Sequence, residues 1–213
     1  MAPGRRARTL ELGCEIERRG FPAIWCPGGG NAIAACQAIL AATNEIVVGI
    51  GIQSIYARDA ADLGAQAAFL HEVYGGRFRL GLGVAHRARS PLVGTNARSD
   101  SPLTDMRTYV QALRDTEKAS GPLPPIVLAA LRDKMVDLAL DVADGAVWAN
   151  GSRSDMGRAV NRIPAARRTE GFTVANMITA VIDDDLKAAL AVTRRTMSSN
   201  IVSLPRAATS DKP

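Results

Sequence analysis

Apolar and polar positions along the chain switch repeatedly between two periods, one typical of helices and one of short buried strands. Arg8 to Arg19 places Leu12 and Ile16 four apart and stops at Gly20, which predicts a helix closed by a glycine. Phe21 to Cys26 follows as a short strand halted by Pro27. Gly28-Gly29-Gly30 then forms a loop before Asn31, the expected N-cap of a helix running through Ala42. Glu45 to Ile52 (EIVVGIGI) is β-branched and bounded by polar residues, the pattern of a buried parallel strand. A helix is expected over Arg58 to Tyr74, ending at Gly75-Gly76, and a strand over Phe78 to Val84. A polar loop, Arg87 to Leu103, leads to a helix over Thr104 to Lys118. Strand Ile126 to Ala130, helix Arg132 to Val142 and strand Ala146 to Ala149 continue the series. The remainder reads as a helix over Ser152 to Thr169 broken at Pro164, a strand over Phe172 to Ile182 and a helix over Leu186 to Ser199. Asp183 to Asp185 lie where acids favour a helix N-terminus, so the triplet is read as a cap and not as a metal site.

Such alternation implies a parallel sheet with right-handed connections. A doubly wound sheet and a closed (β/α)8 barrel both fit the pattern. The chain of 213 residues supplies six predicted strands, against eight strands and about 250 residues in a full barrel. No linker divides it, so residues 1–200 are expected to form one domain, with 201–213 a short disordered tail. Apolar residues make up 47% and charged residues 22%, the balance of a globular protein. No apolar run reaches the about 18–20 residues that span a bilayer, so no membrane association is expected. No apolar stretch of secretory type follows the basic Met1 to Arg8, which makes the cytoplasm the expected compartment. The formal net charge of +5 favours anionic ligands. The arginines are scattered without interleaved aromatics, so nucleic acid is not an expected partner. Cys14, Cys26 and Cys36 make no CxxC pair, and neither His71 nor His86 has a partner at ligand spacing; no metal site is expected.

Three segments are candidates for chemistry. Gly81-Leu82-Gly83-Val84-Ala85-His86 lacks the third glycine of a dinucleotide fingerprint, because His86 stands there and a long loop follows. Gly49 to Ser54 (GIGIQS) carries glycines at a strand end, a sign of close approach by a ligand or, equally, of tight helix–sheet packing. Leu128-Ala129-Ala130-Leu131-Arg132 runs straight into a helix, whose first N–H groups can hold a phosphate, although such turns are often small-residue for packing alone. His71 is read as a surface residue of its helix. His86 sits just past a strand end, where barrel enzymes place their chemistry. No GxSxG, GKS/T or HExxH motif is present.

Five ordered segments carry a resemblance: GFPAIW (Gly20 to Trp25), AATNEIVVGIGIQSIYARDA (Ala41 to Ala60), GGRFRLGLGVAHR (Gly75 to Arg87), PPIVLAAL (Pro124 to Leu131) and ADGAVW (Ala143 to Trp148). Together they resemble the luciferase-like monooxygenase family, in particular its F420-dependent actinobacterial branch. The resemblance implies a (β/α)8 TIM-type barrel binding coenzyme F420, or alternatively FMN, at its C-terminal face. It also implies a non-prolyl cis peptide in a bulge behind the cofactor ring, at Gly51-Ile52 followed by Gln53. Gly83 to His86 would line the pocket, and backbone amides of Ala129, Ala130, Leu131 and Arg132 would hold the cofactor phosphate. Arg87 or Arg89 would meet its anionic tail. By the same match, the first and eighth strands are missing, leaving about six of eight. Cys26-Pro27 stands where relatives often carry a histidine or an acid, so the resemblance assigns no catalytic residue, and His86 is a candidate only from its place past a strand end.

The expected activity is F420-dependent hydride transfer with a small organic substrate. The alternatives are an FMN-dependent monooxygenase and a truncated, catalytically inactive relative. A homodimer is left open.

Overall fold

Helices and parallel strands alternate throughout the computed structural model, which describes residues 6–84, 99–130 and 132–202. Helix α1 (Arg6–Arg18) leads into β1 (Ala23–Cys26), α2 (Ala32–Ala42) and β2 (Val47–Ile50). A two-residue strand β3 (Gln53–Ser54) precedes α3 (Ala60–Val73) and β4 (Phe78–Gly83). Helices α4 (Pro102–Asp115) and α5 (Glu117–Ser120) are followed by β5 (Ile126–Ala129), α6 (Asp133–Val142) and β6 (Gly145–Ala149). Helices α7 (Arg153–Arg162) and α8 (Ala165–Thr169), strand β7 (Thr173–Met177) and helix α9 (Leu186–Val202) complete the order.

The sheet runs β1-β2-β4-β5-β6-β7 with every pairing parallel, and β3 extends it against β4. It curls into a six-strand half-barrel, the incomplete (β/α)8 barrel that the sequence implies. Among the described residues β1 and β7 each pair on one side only.

A period of two sorts the side chains. Phe78, Leu80 and Leu82 of β4 are fully buried, in one apolar cluster with Leu63 and Leu70 of α3, Met106 and Leu113 of α4, and Val136 of α6. On the opposite, concave face stand Trp25, Gly49 and Arg79, aligned across β1, β2 and β4 by their register. Gly64 lets α3 close on α5, since a Cβ there would lie 2.4 Å from Thr116 Oγ1.

Several boundaries differ from the sequence expectation. Asn31 precedes α2 but its side chain makes no capping bond, whereas Asp59 caps α3 by accepting from Ala61 N and Asp62 N. The predicted helix over Thr104 to Lys118 begins earlier, at Pro102 behind the Ser101 cap, and breaks at Thr116. The predicted strand over Phe172 to Ile182 stops at Met177, because its partner β6 ends at Ala149 and supplies no further ladder. Pro164 does interrupt the helix around it. Asp185 accepts from Lys187 N at 2.8 Å, the capping role expected of the aspartate triplet. The tail beyond residue 202 lies outside the described residues. No described helix is long and apolar enough to cross a membrane.

Candidate functional site

The segment Glu45 to Ile52, read as one strand, is interrupted. Strand β2 stops at Ile50, the Gly51–Ile52 peptide is cis, and pairing resumes with β3. Between the pairs Gly49↔Arg79 and Gln53↔Leu82 this segment advances four residues while β4 advances three. One residue more on one strand than on its partner makes a bulge.

Glycines on neighbouring strands make room for it. A Cβ on Gly81 would lie 1.9 Å from the Ile50 carbonyl oxygen, and one on Gly83 would lie 2.3 Å from Ile52 Cδ1. The same hypothetical atom on Gly83 lies 3.2 Å from Ala129 Cβ, which brings the end of β5 to the junction. A Cβ on Gly28, in the loop after β1, would lie 1.7 Å from the Ile52 carbonyl oxygen. Beneath the bulge, Trp25 fills the space that Gly49 leaves, with ring carbons 2.7 Å from where a Cβ would be. Four strand ends therefore meet at Ile52, on the carboxyl side of the sheet where (β/α) proteins bind ligands.

Gln53, 1% exposed, follows directly. Its Nε2 reaches the Ser54 carbonyl at 3.4 Å, and its Oε1 has no hydrogen-bond partner among the described residues. A buried amide oxygen without a donor is uncommon and calls for a ligand or water. Ala130 is fully buried, and its N–H donates to the Val147 carbonyl at 2.9 Å. Arg132 is the N-cap of α6 and makes no side-chain capping bond, so among the described residues the first N–H groups of that helix have no side-chain acceptor. Asp133 in this first turn opposes an anion, but Arg158 and Arg162 each approach its carboxylate at 3.9 Å.

The structure thus brings together Gly51, Ile52, Gly83 and Ala129, with Gln53 adjoining and Ala130 and Arg132 continuing from Ala129. Leu131, His86, Arg87 and Arg89 lie outside the described residues. Gly28 was not singled out by the sequence beyond its loop; three successive glycines directly after a strand were the available signal. His71 is not a plain surface residue. It is half-buried, its Nδ1 is buried without a partner among the described residues, and burial and then the Arg79 charge push its pKa below the ordinary value. No group of His, Cys, Asp and Glu suited to a metal ion occurs among the described residues.

A sequence model of the luciferase-like monooxygenase family matches residues 1–210. The 5,10-methylenetetrahydromethanopterin reductase of Methanolobus tindarius is 29% identical over 177 residues, covering 73% of this chain and 54% of the relative. The chain therefore spans about half the length of that curated relative. Among solved structures, an F420-dependent secondary alcohol dehydrogenase in complex with an F420-acetone adduct superposes with a TM-score of 0.75 at 18% identity, over 89% of this chain and 70% of that one. The oxygenating constituent of the 3,6-diketocamphane monooxygenase of Pseudomonas putida, in complex with FMN, gives a TM-score of 0.65 at 14% identity, over 92% and 69%.

Proposed function

Because the chain belongs to the luciferase-like monooxygenase family, we propose that it forms the cofactor-binding face of an F420-dependent oxidoreductase acting on a small organic substrate. The observation that carries the reading is the glycine-lined seat of Ile52. The atoms nearest to Gly28, Gly81 and Gly83 at the strand ends are backbone, the Ile52 side chain and the Ala129 methyl, a small-residue surface against which a flat ring can rest. These residues fit a deazaflavin or a flavin equally well. F420 is preferred because the better-superposing of the two cofactor-bearing structures holds it.

When bound, the deazaflavin supplies the hydride chemistry, and the protein supplies orientation and shielding. Ile52 would back one ring face, leaving the other for substrate. Gln53 Oε1 is the acceptor on offer to a ring N–H. With the Ala130 N–H already donated to Val147, the first N–H groups of α6, from Arg132 onward, would be the donors for the phosphate, aided by the positive end of that helix. His86, two residues beyond Val84, is the candidate for proton transfer. The cytoplasm remains the proposed compartment.

Separate fluorescence titrations with F420 and FMN test the reading. Saturable F420 binding that Gly83→Leu abolishes, with the variant still melting cooperatively, is the expected result. Saturable FMN binding with none for F420 would replace it by the flavin monooxygenase reading, which the FMN-bound structural relative favours. A cooperative melt with neither cofactor bound would point to an inactive relative.

A further inference from the structure

Two thiols meet on the helix side of β1, away from the proposed cofactor seat. Cys26, the last residue of β1, is 6% exposed, and Cys36 of α2 is fully buried. The Cys36 Sγ lies 3.6 Å from the Gly49 carbonyl oxygen and donates to it. Gly49 directly precedes Ile50, the register partner of Cys26, so both thiols lie against the same end of β2. Each thiol lies close enough to the other to shift its ionisation, Cys26 downward and Cys36 upward. A cavity of about 170 Å³ between α1, β1 and α2 leads to Cys26, and its lining includes the exposed Leu12, Pro27 and Asn31. Two small core residues would serve packing alone. A paired set of thiols with a channel to one of them serves more.

We infer that Cys26 and Cys36 form an oxidation site at which a small hydroperoxide converts the dithiol to an intramolecular disulfide. The Cys26 thiolate attacks the terminal oxygen of the hydroperoxide. The O–O bond breaks, the alkoxide (hydroxide, for hydrogen peroxide) leaves and takes up the proton that Cys26 gave up on ionising, and Cys26 becomes a sulfenic acid. The Cys36 sulfur then attacks the Cys26 sulfur; the S–O bond breaks and hydroxide leaves with the Cys36 proton as water. The two thiols lose two electrons and the peroxide gains them. The division of labour follows from the surroundings. The hydrogen bond from Cys36 holds the Cys26 thiol below its ordinary pKa against the opposing effect of burial. The same contact, followed by burial, pushes the Cys36 thiol up. In the dithiol the Cys36 proton is directed to Gly49; on ionisation of Cys26 it can turn to the thiolate. Gly28, which touches the Ile52 carbonyl, stands two residues beyond Cys26. The disulfide would therefore tether the loop that holds the bulge.

The test is intact and peptide mass spectrometry of Cys14→Ser after brief treatment with hydrogen peroxide and alkylation under denaturing conditions. That substitution removes the exposed third thiol. The expected product is about 2 Da lighter than the reduced protein, unalkylated, with Cys26 and Cys36 peptides joined and separated again by dithiothreitol. In Cys36→Ala, Cys26 should instead be captured as its sulfenic acid by a cyclic dione. Full alkylation of both thiols, or over-oxidation of Cys26 with Cys36 still alkylated, overturns the proposal. These readouts do not involve F420 or FMN, so they stand or fall apart from the cofactor reading.

Discussion

Replacing Gly28 by alanine puts a methyl carbon 1.7 Å from the Ile52 carbonyl oxygen, 2.6 Å from its carbon and 3.2 Å from Gln53 N. A relaxed carbon–oxygen contact is about 3.3–3.6 Å, so one backbone must retreat by about 1.6–1.9 Å. Overpacking of this kind costs about 1–3 kcal/mol. The upper end applies, because the group struck is a backbone carbonyl fixed by β3 and not the end of a flexible side chain. Alanine also restricts the unfolded chain, which returns about 0.4–1 kcal/mol. The net loss is about 2–2.6 kcal/mol, and at about 2–4 °C per kcal/mol for a chain of this size the melting temperature falls by about 4–10 °C. Gly30→Ala is the control: it lies in the same loop, and its Cβ meets nothing within 4 Å. It retains only the unfolded-state gain and should melt at or slightly above the parent. Thermal melts followed by far-UV circular dichroism compare the two directly. Equal melting temperatures for the two variants would refute the close contact between the loop and the bulge.

Arg77 donates to the carbonyls of Leu40, Thr43 and Ile46 at 2.8, 3.1 and 3.2 Å, tying the end of α2 to the start of β4. Arg77→Met leaves those acceptors to water or to nothing and should cost about 1.5–3 kcal/mol in urea unfolding; no change in the midpoint would deny the role. Glu17 accepts from the backbone N–H groups of Asn44, Glu45 and Ile46. The bonds from Glu45 and then Ile46 hold its pKa below the ordinary 4.5. The stability it contributes is present above that value and is lost as pH falls through the lowered one. Glu17→Gln should be less stable at neutral pH and show a shallower acid-induced loss; parallel pH profiles would contradict this. His71 is depressed below its ordinary 6.5, so the unfolded chain binds the extra proton first and stability falls as pH drops through about 6.5. His71→Gln should flatten the profile in that window, as read by urea midpoints.

The order of helices and strands was legible because each element carries its own period and punctuation, as at Gly20, Gly75-Gly76 and Pro164. The bulge was not legible from those residues alone. EIVVGIGI has the composition of one continuous strand, and what interrupts it is space left by Gly28 in the loop after β1 and by Gly81 and Gly83 in β4. The strand-end glycines marked Gly49 to Ser54 as a candidate, but only the family resemblance pointed to a bulge at Gly51-Ile52. The over-long strand at Phe172 to Ile182 has a similar origin. Its β-branched residues look like a strand to the end, yet Ile182 is 102% exposed because strand length is set by the neighbour and β6 stops at Ala149. His71 was misplaced because a single histidine in an amphipathic stretch carries no information about what lies under its ring.

The glycines around the bulge also differ in how far their positions can drift over evolutionary time. At Gly83 the obstacle is the Ile52 side chain, so a larger residue there can be rescued by a shorter one at 52. At Gly28 and Gly81 the obstacles are the carbonyl oxygens of Ile52 and Ile50, which every amino acid carries. No second substitution removes a carbonyl. Positions 83 and 52 can therefore change as a pair, whereas 28 and 81 are held at glycine independently for as long as the bulge keeps its shape.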